Sequence, residues 1–402
     1  MRGRRRFLRM IGSVAAGAAV GGVRASDPPG RVLSLFLCGD VMTGRAIDQI
    51  LRHPSKPELH EPYMRDARGY LSLARAANGD IPHPVSSSYI WGHALAELDR
   101  RRPALRIVNL ETSITTSDTP WPDKGIHYRM HPDNIGSLSA ARLDCCVLAN
   151  NHVLDWGRAG LVETLATLHR AKIATAGAGA NLDAAHAPAV LPLSGGARVL
   201  IFAAATDDSG VPAEWAATAK RAGVHRLPDL ADDTVAKVAT LVRAHRRPGD
   251  RVLFSVHWGG NWGYAVSRAQ RAFAHALIDE AGVDLVHGHS SHHPRAIEIH
   301  RERAILYGCG DFINDYEGIE GHEEYRGELG LMYFPSLDAA SGRLHEFELV
   351  PTRIRRFRVE HARGDDRAWL LDKLRREYAA FGTDIAAAAD GAFAVRQRAS
   401  SR

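Results

Sequence analysis

Cysteine is scarce in this chain: four residues in 402, namely Cys38, Cys145, Cys146 and Cys309. That is too few for a disulfide-stapled scaffold, and all four sit in or beside apolar strand patterns, which favours small buried core residues over zinc ligands. Cys145 and Cys146 are adjacent and so face opposite sides of a strand; the sequence offers no pairing. Beyond the first 25 residues no uninterrupted apolar run is long enough to span a membrane. Those 25 residues contain no Asp or Glu, but they hold Arg2, Arg4, Arg5, Arg6, Arg9 and Arg24. Setting these six aside leaves 45 of the 51 basic residues against 46 acidic ones, a net of −1 instead of the formal +5. Bulk charge therefore gives no case for nucleic-acid binding.

What is present at the N-terminus reads as an export signal. Arg4-Arg5-Arg6-Phe7-Leu8-Arg9 leads into an apolar, Ala/Gly-rich stretch from Met10 to Val23, which resembles a twin-arginine signal. The stretch is too short and glycine-rich for a stable span, so cleavage near Ala25 is expected, with the mature protein in the periplasm or cell envelope.

The remainder is ordinary globular sequence, 45% apolar and 24% charged, long enough for a large core. Residues 31–360 are expected to form one domain. Apolar runs ending at Cys38, Asn109 and Leu148 read as strands, followed by a helix from Arg158 to Ala171 supported by Leu161, Leu165 and Leu168. Leu51 to Ser88 shows little periodicity and reads as an insertion or long loop. Further strands are expected at Ala189–Leu193, Arg198–Ala204 and Arg251–Val256, with helices at Asp232–His245 and Ser267–Ala281. After residue 293 the pattern turns strand-rich, with Ala296–His300, Ala304–Tyr307, Leu329–Phe334, Leu344–Val350 and Ile354–Val359. Residues 361–402 read as a helix over Asp365–Tyr378 and an Ala-rich, frayed end beyond Phe381. Early βα units followed by antiparallel strands predict an α/β protein, a four-layer α/β/β/α sandwich.

The chemistry lies in five polar clusters just past apolar runs. They are Gly39-Asp40, Asn109-Leu110-Glu111, Asn150-Asn151-His152, His257-Trp258-Gly259 and Gly288-His289-Ser290-Ser291-His292-His293. Ligands of open α/β folds bind outside the carboxyl ends of the strands, so five such clusters are expected to converge. Asp40 is a hard ligand for a divalent cation, and Arg45 one turn later can fork onto an anionic oxygen, although a solvated arginine fits equally well. Asn151 can ligate without adding charge, His152 can serve as general acid, and Asn150 is better explained as a turn residue. Glu111 can bridge two cations. His257 is joined by His287, His289, His292 and His293; His289 and His292 are taken as ligands, His287 as a strand residue and His293 as a wall. Asp155 stands near the helix start, where a carboxylate suits the dipole, and is grouped with His152 and Arg45 as a candidate catalytic residue.

Together these blocks resemble the CapA family of capsule poly-γ-glutamate biosynthesis proteins, with its metallophosphatase-type fold. The resemblance rests on Gly39-Asp40-Val41-Met42-Thr43-Gly44-Arg45, Asn109-Leu110-Glu111, Ala149 to Gly157, Gly160-Leu161, Ala176 to Gly179, His257-Trp258-Gly259, Gly288-His289 with His292, and Tyr307 to Phe312. It implies a centre of one or two divalent ions (Mn, Fe or Zn) held by Asp40, Glu111, Asn151, His257, His289 and His292, with His152 in the acid position. The expected substrate is a polyanionic polymer such as poly-γ-glutamate, or a phosphoester, and a membrane biosynthesis complex is an expected partner. Rival readings are a periplasmic phosphoesterase and a non-catalytic polymer-binding or export protein. The wider phosphatases begin Asp-x-His where this chain has Met42, and Gly-Asn-Phe is replaced by Gly310-Asp311-Phe312. Both departures weigh against a full two-ion centre of the usual kind.

Overall fold

The computed structural model describes residues 32–398; the arginine-rich leader read as an export signal lies outside the described residues. Four parallel strands open the fold: β1 (Val32–Val41), β2 (Leu105–Leu110), β3 (Cys145–Val147) and β4 (Ala174–Ala176). A second sheet follows from β5 (Ala189–Pro192), β6 (Arg198–Ala205), β7 (Arg251–His257), β8 (Leu285–His289), β9 (Ile297–His300) and β10 (Arg303–Leu306). The chain then returns to the first sheet with β11 (Asp311–Ile313), β12 (Leu329–Asp338), β13 (Leu344–Arg355), β14 (Arg358–His361), β15 (Thr383–Ala387) and β16 (Phe393–Gln397).

The first sheet runs β15-β16-β13-β12-β1-β2-β3-β4, with β11 also on β1 and β14 on β13; the second runs β9-β10-β8-β7-β6-β5. Contacts pair β1 with β8, β4 with β5 and β6, and β9 with β15 and β16, so the sheets stack face to face in the same sense. Composition explains each strand's place. The central strands are near-continuous apolar runs buried on both faces, as LRIVNL and RVLFSVH show. The edge strands β5 and β15 instead alternate buried and exposed residues. The α/β class expected from the sequence is the class observed, and helices such as Arg268–Asp279, closed by a Ser267/Gln270 capping box, pack beside the sheets. All four cysteines are buried and free. No helix among the described residues is long and apolar enough to cross a membrane.

Three local expectations are corrected. The stretch Leu51–Ser88 holds a helix, Ala67–Asn78, whose Asp66 side chain accepts from Arg68 N. Ala67, Tyr70, Leu71 and Ala74 are buried at helical spacing, a short periodicity masked by polar flanks. The run Ile354–Val359 is not one strand. Arg356 and Phe357 both take positive φ, 56° and 54°, and form the two-residue turn between β13 and β14. The end beyond Phe381 is ordered rather than frayed: β15 and β16 form a hairpin that joins β13 at Leu349 and Phe393, with Ile385, Phe393 and Val395 buried.

Candidate metal centre

Strand register brings the clusters together. β7 and β8 are parallel neighbours with His257 opposite His289, and on the facing sheet β1 and β2 set Asp40 beside Asn109. Asp40 also lies in register with Asp311 of β11. That approach needs Gly39: a Cβ there would sit 1.7 Å from the Gly310 carbonyl oxygen.

Asp40, His257 and His289 each offer a ligand atom within 4.8 Å of the others, the one such converging group among the described residues. The His257 and His289 Nδ1 atoms are 2.8 Å apart, and His289 Nδ1 lies 3.9 Å from Asp40 Oδ1. The outer nitrogens are anchored, His289 Nε2 by Ser255 Oγ at 2.8 Å and His257 Nε2 by Asn151 Oδ1 at 3.2 Å. Burial, and then neighbouring imidazoles, holds both rings well below the usual histidine pKa, so they are neutral and carry a lone pair. Two neutral rings nose to nose beside a carboxylate suit a divalent cation of the zinc, iron or manganese type. The donor set therefore fits a metal.

The carboxylates support that fit. Asn109 Nδ2 donates to Asp40 Oδ1 at 2.7 Å and to Glu111 Oε2 at 3.2 Å. Burial first, then the charge of Asp311, raises Asp40 to about 7; burial, Asp40 and Asp311 push Glu111 up as well. Asn150 is the turn residue expected, yet it is wholly buried, its Nδ2 donating to Asn109 Oδ1 and Leu110 O, both at 2.9 Å. Ser290 holds φ at 103°, and its N–H points at Asp40 Oδ2 from 3.3 Å, a strained backbone fixed by the site.

His152 stands at the rim, its Nε2 3.8 Å from Glu111 Oε1. Its Nδ1 is 2.7 Å from Asp155 Oδ2, which also accepts from Tyr128 N; Lys124 Nζ lies 3.0 Å from Asp155 Oδ1. Asp155 is thus the partner of His152 rather than a helix-dipole residue. The helix begins only at Gly157, and Asp155 is wholly buried. Burial pulls His152 to about 4 despite Asp155, so the resting ring is neutral. His152 and Lys124 hold Asp155 low against the opposing effect of burial.

Arg45 does not face an open site. Its Nε and Nη2 fork onto Asp315 at 3.1 and 2.5 Å, its Nη1 donates to Glu61 at 3.1 Å, and Tyr70 covers the guanidinium at 3.9 Å. The expectation of an anion-binding arginine is overturned, because a buried ion-pair network uses its donors. His292 is brought to the centre through Asp311, Nδ1 to Oδ1 2.9 Å, and Asp311 raises its pKa against the effect of burial. His287 stays a strand residue, its Nε2 2.9 Å from Cys38 O, and His293 is wall, stacked on Trp262 and Tyr325. Asp311 and Lys124 were missed as site residues, and Asn109, named within a polar cluster, was given no role of its own. For Asp311 the signal was available, an acid immediately after Gly310 at a strand start.

A cavity of about 580 Å³ is lined in part by Asn314, Tyr316, Trp262 and Arg326, and reaches the neighbourhood of His292 through its two aromatic residues. Trp262 and Tyr316 both lie against the His292 ring, at 5.2 and 5.3 Å. A larger apolar cavity of about 700 Å³, by His186 and His225, has no lining residue against the His292 ring, so size does not locate the chemistry.

Residues 34–316 match the family described as bacterial capsule synthesis protein PGA_cap. A Mycobacterium tuberculosis protein named probable polyglutamine synthesis accessory protein is 48% identical over 365 residues, 90% of this chain and 96% of its own length. The capsule biosynthesis protein CapA of Bacillus anthracis is 24% identical over 283 residues, 70% of this chain and 60% of its own. Among solved structures, a Mycoplasma pneumoniae phosphatase aligns with a TM-score of 0.42 at 11% identity, over 80% of this chain and 93% of that one.

Proposed function

The chain belongs to the bacterial capsule synthesis protein family, and from that premise we propose that it is an exported, metal-dependent hydrolase or transferase acting on a glutamate polymer of the envelope or its precursor. The observation that carries this reading is the buried Asp40–His257–His289 group beside the His152–Asp155 pair. Support for the polymer comes from relatives named for polyglutamine synthesis, PGA biosynthesis and capsule biosynthesis, and support for export from the arginine-rich leader. A membrane-bound synthesis assembly is the expected partner.

Asp40, His257 and His289 would hold the cation, with Asn151 and Glu111 at its margin. Bound there, it supplies Lewis-acid polarisation of an amide or phosphoryl oxygen and activation of water. The protein supplies the proton path. Asp155 fixes Nδ1 of His152, so Nε2 of the neutral ring can take a proton from the attacking group and return it to the leaving atom. Trp262 and Tyr316 wall the approach and keep the polymer against the centre.

The test pairs metal content with turnover. Purified protein should carry stoichiometric Mn, Fe or Zn and should shorten poly-γ-glutamate of defined length, read by light scattering after size exclusion. Chelator should abolish the shortening, and His152→Ala should slow it about 10²–10⁴-fold. Metal-loaded protein that leaves both the polymer and simple phosphoesters unchanged, or protein that takes up no divalent ion, would end this reading.

A further inference from the structure

Beyond the end of β7 lies a buried guanidinium that no carboxylate answers. Arg295 is 4% exposed; its Nη2 donates to Ala265 O, and its Nε makes no hydrogen bond among the described residues. The acids that act on it electrostatically, Asp208 and Glu377, form no ion pair with it among the described residues. Asp208 is engaged elsewhere, its Oδ1 accepting from Gly259 N at 3.1 Å and from Thr206 Oγ1. An ion taken out of water without a partner is costly, and burial accordingly lowers the pKa of Arg295.

A second donor is aimed at the same place. Gln270, also 4% exposed, is the third residue of the helix Arg268–Asp279. Its Oε1 accepts from Ser267 N at 3.0 Å, which closes the cap, fixes the amide and leaves Nε2 with no hydrogen bond among the described residues. Both donors face the Cα of Gly259. A Cβ built there would lie 2.9 Å from Gln270 Nε2 and 3.4 Å from Arg295 Nη1, with Gln270 Cδ next at 3.9 Å. Gly259 has φ 76°, so glycine both permits the turn and keeps this cradle open. The start of a twelve-residue helix adds the positive end of its dipole. Asp208, Gly260 and Asn261 around the cradle are exposed, so it lies just beneath the surface. Ser290 joins it to the metal centre: its Oγ donates to Gly259 O at 2.9 Å while its N–H points at Asp40 Oδ2.

We propose that Arg295 and Gln270, over the backbone of Gly259, form a carboxylate subsite that holds an acidic side group of the polymer while a neighbouring linkage meets the centre. Donors of one kind, converging beside a helix start, fit a group that only accepts hydrogen bonds and carries negative charge. The guanidinium excludes a cation. The subsite stands on these donors alone; for the polymer as source of the carboxylate, the inference rests on the function proposed above and deepens it.

The experiment is a calorimetric titration of full-length protein with a γ-linked glutamate tetramer and, separately, with acetate, repeated after chelation so that no metal contributes. The chelated wild type should still bind the tetramer, and Arg295→Gln and Gln270→Glu should each weaken that binding by about 10–100-fold. Gln270→Glu keeps the capping box and gives Arg295 a carboxylate of its own. It should therefore melt no lower than the wild type, which separates lost binding from a damaged fold and decides the matter if Arg295→Gln does not fold. Acetate bound as tightly as the tetramer, and lost in the same variants, would keep the subsite and overturn its assignment to the polymer. A wild type that binds neither probe, or variants that bind the tetramer like the wild type, would overturn the subsite. The metal reading fails separately, on ion content and turnover.

Discussion

Replacing Arg45 by Met should cost stability rather than affinity for an anionic substrate. The guanidinium makes three hydrogen bonds to two carboxylates, Asp315 and Glu61, and none of the three side chains is more than 2% exposed. Two unit charges about 4 Å apart attract by about 4 kcal/mol at an effective dielectric near 20. Removing one partner of a buried pair typically costs about 3–5 kcal/mol, because the survivor is left without a counter-charge. Here two carboxylates are left, and the Tyr70 ring at 3.9 Å loses its cation, so the upper part of that range is expected. Total stability of about 5–15 kcal/mol leaves the variant folded in the cold. Urea unfolding followed by tryptophan fluorescence reads the change, with Arg45→Lys, which keeps the charge and loses the fork, falling between wild type and Met. A loss below about 1 kcal/mol combined with a raised KM would refute this reasoning and return Arg45 to the substrate.

Phe393→Ala should lose about 3–5 kcal/mol and broaden the unfolding transition, since the ring is fully buried where β16 joins β13; denaturant melts check it. Burial, then the neighbouring His186, depresses His225 to about 3 in the folded state, against 6.5 when free. The folded protein therefore binds fewer protons than the unfolded one between those values, and His225 contributes stability above pH 6.5 that is lost as pH falls toward 3. His225→Gln should flatten that acid-side slope by an amount on the order of 2–4 kcal/mol across the window, measured by urea midpoints at a series of pH values. An unchanged slope would show that the ring is hydrated.

The sequence by itself determined the class and the address of the chemistry. Doubly buried strands must be apolar throughout, so LSLFLC, LRIVNL and RVLFSV announced themselves, and the polar residues that interrupt them at their ends could only be functional or capping. Helices with clean apolar spacing, such as Asp232–His245, were legible to the residue. Where the pattern was diluted it misled. Alanine-rich 383–397 hid a period of two, and polar flanks hid the helix Ala67–Asn78. Only the tertiary structure decided which partner each charged side chain would have. Arg45 and Asp315 are 270 residues apart, as far beyond local pattern as Asp40 and Asp311, and a buried charge takes the nearest counter-charge that folding brings to it. That is why the converging group of Asp40, His257 and His289 could be named as candidate ligands from the strand ends, while the partners of Arg45 and Asp155 and the approach of Asp311 had to wait for the two sheets to meet.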